Sequence, residues 1–412
     1  MKLRDQPPLH LTYCLNVHPG ETWEDNFTAI RDHAMAVKLR VTPDAPFGLG
    51  LRLGRKAAET LRHPAVLARL RDFMNAQDLY AFTVNGFPYG NFHAGAVKTE
   101  VYRPDWGTRD RLEYTLMLAE ILAGVIPEGM DGSISTVPLG YKATPGALAT
   151  RAMSVLLAEC AAGLHRIRTT TGREIHLGLE PEPDCLLETT DEVIRYFEGP
   201  LTELAIPHLA DRLACPKPEA ESILRRHIGI CVDTCHLAIQ FETPADSLTR
   251  LARHGIRVSK IQLSSALEAT PTVTARKRLA DFSDPVYLHQ VKELDFGDGP
   301  ATASTLTGHR DLDDALATPA TAADATKLWR IHFHVPLYFT GDGILHSTAK
   351  TMDTRFWNQI TAGGVTHLEM ETYTFPVLPP ALRAEGIDAS VVREYDWVLQ
   401  RLRPLAGPDQ RP

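Results

Sequence analysis

The chain has 412 residues, 44% of them hydrophobic and 23% charged, with a formal net charge of -8 and an isoelectric point near 6.1. That length and composition suit a globular protein with a large core, either one α/β barrel carrying insertions or a few smaller domains. The acidic balance excludes a binder of nucleic-acid backbone, which displays a basic face, although clusters such as LRLGRK leave a phosphorylated small molecule open.

No run reaches ~18 apolar residues, so no membrane span is expected, and the opening MKLRDQPPLHLTYCLNV lacks an apolar segment of signal-peptide length. Six cysteines without a regular framework read as reduced thiols of a cytoplasmic protein. Cys231 and Cys235 lack the spacing of a zinc knuckle or redox pair and read as packing residues.

Short apolar, β-rich runs alternate with longer helical patterns. The strands are expected at 11–17, 49–54, 79–86, 132–139, 174–180, 228–233, 257–264 and 365–371. Between them ETWEDNFTAIRDHAMAVK, RDRLEYTLMLAEILAGV and TTDEVIRYFEGP read as helices. A further helix is expected to open at Thr144, with Pro145 in its first turn, and to run toward Arg168. Eight strands with helices between them predict a (β/α)8 TIM barrel forming one domain over 1–412. A doubly wound sheet is the alternative, but no Gly-x-Gly-x-x-Gly follows the first strand. The stretch 265–328, rich in Pro, Thr, Asp and Gly, reads as a long lid-like excursion between the seventh and eighth strands. After it, WRIHFHVPLYF (329–339) is strand-like.

Polar residues gather where the strands end. Strand five ends in LGLEPEPD, placing Glu180 at the rim with Glu182 and Asp184 after it, and strand six ends in VDTCH, placing Asp233 at the rim with His236 beyond. Strand seven carries Gln262, and strand eight carries Glu369 and Glu371 on one face. Carboxylates brought together without opposing charge shift one another's protonation, and a divalent cation relieves that. The expected ligands are Glu180, Asp233, Gln262 and one of Glu369 or Glu371; with Glu371 taken as ligand, Glu369 is left for proton transfer. Asp233 could instead be a plain helix cap. His332 and His334 face the same way if their segment is extended, and His289 with the HRDLDDAL stretch could form a lid. Asn85, Tyr89, His93, His18 and Lys142 are candidates to hold a polyhydroxylated ligand.

The segment IGICVDTCHLAIQFE resembles the Asp-Thr-Cys-His segment of the xylose isomerase-like barrel superfamily, and LGLEPEPD is similar to the Glu-Pro-x-Pro turn of xylose isomerases. Most of the chain, through LTYCLNVHPGETW, VNGFPYG, STVPLGYK, HFHVPLYF and LEMETYTFPVLP, resembles the metabolite traffic protein EboE family. The resemblance implies a metal on Glu180, Asp233, Gln262 and a strand-eight glutamate, with His236 near the substrate. It also implies a prenylated cyclitol-type pathway and other enzymes of the same gene cluster as partners. The chain departs at three points. Strands three and four end in VNG and TVPL rather than in endonuclease IV's histidines, Gln262 stands where most relatives have histidine, and Glu182 stands where xylose isomerases have lysine.

The expected activity is a sugar, sugar-phosphate or cyclitol isomerase or epimerase with one divalent metal ion (Mn, Mg, Zn or Co). Proton transfer is expected from Glu182 or the free strand-eight glutamate, with His236 and His334 steadying oxygens. The alternatives are a non-catalytic metabolite carrier and a metal-dependent phosphoester hydrolase.

Overall fold

The computed structural model describes residues 1–90, 93, 97–142, 150–297 and 305–402. Eight parallel strands form the barrel: β1 (Leu9–Tyr13), β2 (Phe47–Arg52), β3 (Leu79–Asn85), β4 (Gly132–Thr136), β5 (Ile175–Leu179), β6 (Ile228–Asp233), β7 (Val258–Leu263) and β8 (His367–Met370). They neighbour one another in the order β1-β8-β7-β6-β5-β4-β3-β2, which is chain order once the ring is joined. The ring is joined by a parallel bridge between Cys14 and Gly50 and by Thr12 Oγ1 donating to the Gly48 carbonyl at 2.8 Å. A short strand, Lys2–Arg4, pairs antiparallel with β1.

The strands fall where the apolar runs predict them, because strands covered on both faces read as continuous Ile, Val and Leu. The first begins two residues earlier than expected, and its last expected residues, Leu15–Val17, form a helical turn instead. Helix Arg109–Val125 coincides with its periodic pattern. The first helix starts at Trp23 behind a capping box made by Thr22 and Asp25. The helix expected to open at Thr144 is described from Thr150 to Thr171; its expected start lies outside the described residues.

The excursion between β7 and β8 is longer and more ordered than its composition suggests. It spans 264–366 and carries a five-stranded antiparallel sheet in the order Thr305–His309, Val291–Asp295, Lys327–Ile331, Leu267–Ala269, His346–Ser347. Strands this short carry little periodic signal, and their register is set by distant partners such as Glu293 with Trp329. The expected strand at 329–339 stops at Ile331. Beyond it the chain turns over the barrel mouth, where Val335 N–H donates to the Ser265 carbonyl at 3.0 Å.

Side chains fill the barrel axis. At its closure Gly50 has no room for more than hydrogen: a Cβ there would lie 2.6 Å from the Tyr13 carbonyl and 2.4 Å from Glu369 Oε1. Gly50→Val is therefore expected to destabilise the fold by about 3 kcal/mol through overpacking at a backbone contact. Denaturant unfolding measures this, and a wild-type midpoint would mean the ring is not sealed here.

Candidate functional site

The C-terminal ends of the strands surround a cavity of about 520 Å³. Its lining includes Asn16, Asn85, Tyr102, Glu180, Glu182, His236, His332, Glu371 and Tyr373. Glu180, Asp233 and Glu371 offer oxygens that all lie within 4.8 Å of one another, and all three side chains are buried.

Asp233 is a helix cap and a site residue at once. Its Oδ1 accepts from the N–H groups of Cys235 (2.7 Å) and His236 (3.0 Å) and from Ser264 Oγ (2.6 Å), while Oδ2 is buried with no hydrogen-bond partner. Burial works to raise its pKa, but His236, His334 and these donors more than offset that and hold the carboxylate below its usual value. Glu180 Oε2 is likewise buried without a partner. Glu371 Oε1 accepts from Asn16 Nδ2 (2.7 Å) and Asn85 Nδ2 (2.8 Å). Burial first, then the repulsion among the carboxylates, pushes Glu180 and Glu371 well above the ordinary glutamate value.

His334 adjoins this group through Asp233 and the Glu371 main chain. Its Nδ1–H donates to the Glu371 carbonyl at 2.8 Å, which leaves Nε2 as a bare lone pair. That nitrogen is buried without a partner, and His334 offers a ligand atom within 4.8 Å of those of Asp233 and His236. Gln262, the amide expected in this place, has its oxygen committed: Oε1 accepts from the Cys231 thiol at 3.0 Å. Three buried atoms (Glu180 Oε2, Asp233 Oδ2 and His334 Nε2) thus lack any hydrogen-bond partner, and two oxygen donors with one imidazole suit a divalent cation.

Glu182 lies beside them. Tyr102 OH donates to its Oε1 at 2.7 Å, and His332 Nδ1 is 3.7 Å away. Burial pushes its carboxyl up to about 7. His236 Nδ1–H donates to the Pro181 carbonyl at 3.0 Å and His332 Nδ1–H to Gln290 Oε1 at 2.7 Å. Gln290 is held in that sense by its Nε2 donating to the Pro183 carbonyl at 3.1 Å. With both Nδ1 protons committed, the two Nε2 atoms, 3.1 Å apart, are bridged only by a proton that one ring carries or by a cation. His289, expected in a lid, is buried and holds the His332 carbonyl through Nδ1 at 2.7 Å.

The other sequence candidates divide. Asn85 lines the cavity, and His93 stands behind it, donating to the Asn16 carbonyl at 2.5 Å and accepting from Tyr287 OH at 2.6 Å. His18 hydrogen-bonds Tyr13 OH at 3.1 Å and stacks on His33, away from the lining. Tyr89 packs edge-on against Tyr114, and Lys142 pairs with Glu188 and Glu192 at the surface, so neither lines the cavity. Glu369 sits below it, bound to Lys260 Nζ at 2.5 Å, so the two strand-eight glutamates do different things.

The sequence reading missed Asn16, Tyr102, Tyr287, Gln290 and Tyr373. Tyr373 alone carried a usable signal, since Glu369, Glu371 and Tyr373 alternate in HLEMETY.

No known family's sequence profile matches the chain, and none of the curated proteins matches it. Among solved structures, an IOLI protein with a binding zinc atom is 10% identical, covering 97% of this chain and 100% of its own, with a TM-score of 0.47. A xylose isomerase domain protein from Alicyclobacillus acidocaldarius is 9% identical (97% and 99% covered, TM-score 0.48). A D-tagatose 3-epimerase-like protein is 10% identical (96% and 98% covered, TM-score 0.47). Strand order and closure define the barrel here, and likeness at this level says nothing of chemistry.

Lys260 and Glu369 are both fully enclosed beneath the cavity. Lys260→Met would strand a buried carboxylate and is expected to cost about 3–5 kcal/mol, whereas pairing it with Glu369→Met should regain most of that loss. Urea unfolding of the single and double variants checks this; a harmless single variant would mean that the pair is not ionised.

Proposed function

We propose that this protein is a divalent-metal-dependent isomerase or epimerase of an unphosphorylated polyhydroxylated carbonyl compound, moving a proton next to the carbonyl. The observation that carries the reading is the gathering of Glu180, Asp233, Glu371 and His334, with three unpartnered buried atoms among them, at the C-terminal end of the barrel strands, where Glu180 and Glu371 also line the cavity. Those four residues would hold one Mn²⁺, Mg²⁺, Zn²⁺ or Co²⁺ ion. When bound, such an ion polarises adjacent carbonyl and hydroxyl oxygens and so acidifies the carbon-bound proton between them.

The chain's own groups supply the rest. Glu182 reaches into the cavity, steadied by Tyr102, and is the group assigned to take the proton and return it to the neighbouring carbon. The Nε2 atoms of His236 and His332, 3.1 Å apart, stand where a ligand oxygen would gain charge. Asn16 and Asn85 fix the Glu371 carboxylate so that it does not swing toward the substrate.

Charge selects against a phosphate. Lys98 is the one Lys or Arg lining the cavity among the described residues, and Asp311 takes it at 2.6 Å. The lining also includes Phe87, Val97, Val101 and Leu288, apolar side chains that would accommodate the substituent of a prenylated cyclitol.

One observation favours a second reading. Glu182, His236 and His332 form another group of possible ligands within 4.8 Å, and a phosphoester hydrolase would put a further cation there. Elemental analysis separates the two readings: one metal per chain supports the isomerase and two or more support the hydrolase.

Two further outcomes are expected. His334→Ala should weaken Zn²⁺ or Mn²⁺ binding about 100-fold while Gln262→Ala changes it less than about tenfold, as titration calorimetry reads out; the reverse order would return the ligand role to Gln262. Metal-loaded protein incubated with ketoses and keto-cyclitols in D₂O should place deuterium at the carbon next to the carbonyl. Glu182→Gln should slow that exchange about 10²–10⁴-fold. No exchange with any such compound and any of the four metals would sink the isomerase reading.

A further inference from the structure

Helix Ile387–Leu402 lies outside the cavity, yet one of its side chains ties together the two segments that carry His334 and Glu371. Glu394 is 2% exposed, and its Oε1 accepts both from Leu337 N–H (3.0 Å) and from Thr372 Oγ1 (2.6 Å). Leu337 ends the 332–337 segment that brings His332 and His334 over the barrel mouth. Thr372 follows Glu371 directly. Between the same two segments run His334 Nδ1–H to the Glu371 carbonyl (2.8 Å) and Thr374 Oγ1 to the His334 carbonyl (2.5 Å).

The choice of residue is informative. No Lys or Arg among the described residues pairs with Glu394, and burial pushes its carboxyl up to about 7 against the pull of its two donors. A leucine would fill a helix face at lower desolvation cost. What leucine lacks is an oxygen that receives two donors from different segments at one point. His334 precedes Glu371 by 37 residues, so the position of one relative to the other has to be set by tertiary bonds of this kind.

We propose that Glu394 is a positioning residue: it fixes the excursion's histidine-bearing segment against the end of β8 and thereby sets the distance between the His334 and Glu371 ligand atoms. The inference rests on the metal reading given above. The test compares Glu394→Leu, Glu394→Gln and Thr372→Val with wild type, following Mn²⁺ and Zn²⁺ affinity and the rise in unfolding midpoint that each metal produces.

Glu394→Leu should lower metal affinity on the order of tenfold or more and shrink the metal-induced rise, beyond any fall in the metal-free midpoint. Glu394→Gln keeps an acceptor oxygen and should retain affinity within about threefold of wild type, a rescue that loss of packing alone would not produce. Thr372→Val removes one arm and should fall between them, and it carries the test if Glu394→Leu does not fold. If the folded leucine and valine variants bind both metals as wild type does and are merely less stable, Glu394 is structural and the inference is overturned. If wild type itself shows no metal response, the metal reading fails first and takes this inference with it.

Discussion

Three buried carboxylates, Glu180, Asp233 and Glu371, are held with their oxygens within 4.8 Å of one another. Burial, and then the repulsion of like charges this close, pushes Glu180 and Glu371 well above the ordinary glutamate value. The barrel does not avoid this conflict; it builds it. Each carboxyl leaves from the end of a different strand, and the strands cannot separate because β1 and β2 are sealed at Cys14 and Gly50. Below, Lys260 already neutralises Glu369, so its charge is spent one layer down. What the site lacks is positive charge, and an imidazole nitrogen with a free lone pair stands beside it.

Asp233 shows how one residue serves the fold and the site together. Capping needs one carboxylate oxygen, and Oδ1 takes both helix N–H groups and the Ser264 hydroxyl. A second oxygen is then left pointing away from the helix, fixed by the first. The cap and ligand readings of the segment VDTCH are therefore not competitors, because the cap fixes the oxygen that a metal would use.

Much of this was legible in the sequence because it is local. A buried parallel strand announces itself by its apolar run, and the residue at its end by the polar break that follows, so Glu180, Asp233 and Glu371 could be read from β5, β6 and β8. What could not be read is what depends on distant partners. Gln262 occupies the expected strand, but the Cys231 thiol beside it takes its oxygen. His334 was visible as a histidine, yet its place against Glu371 is set by bonds across the excursion and by Glu394, a residue with no local signature. Lys142 and Tyr89 fail for the converse reason: their loops suggest a rim, while their partners, Glu188 and Tyr114, draw them elsewhere.

The excursion between β7 and β8 changes what the barrel can do. The strand ends alone supply an acidic floor. His332, His334, Tyr287 and Leu288 all come from 264–366, so the site gains two imidazoles beside the barrel's own His236, and the cavity part of its apolar wall, only when this segment is docked. The five-stranded sheet orders the segment internally, and it is tied to the rest of the barrel by the Lys98–Asp311 pair and by backbone bonds from Val97 and Lys98 to the Val286 carbonyl. A carboxylate cluster of this kind is open to any hard cation, whereas adding imidazole from a separately anchored segment narrows both the ion and the geometry it can adopt. On the metal reading, selectivity would reside less in the barrel's strand ends than in the precision with which one long connection is held over them.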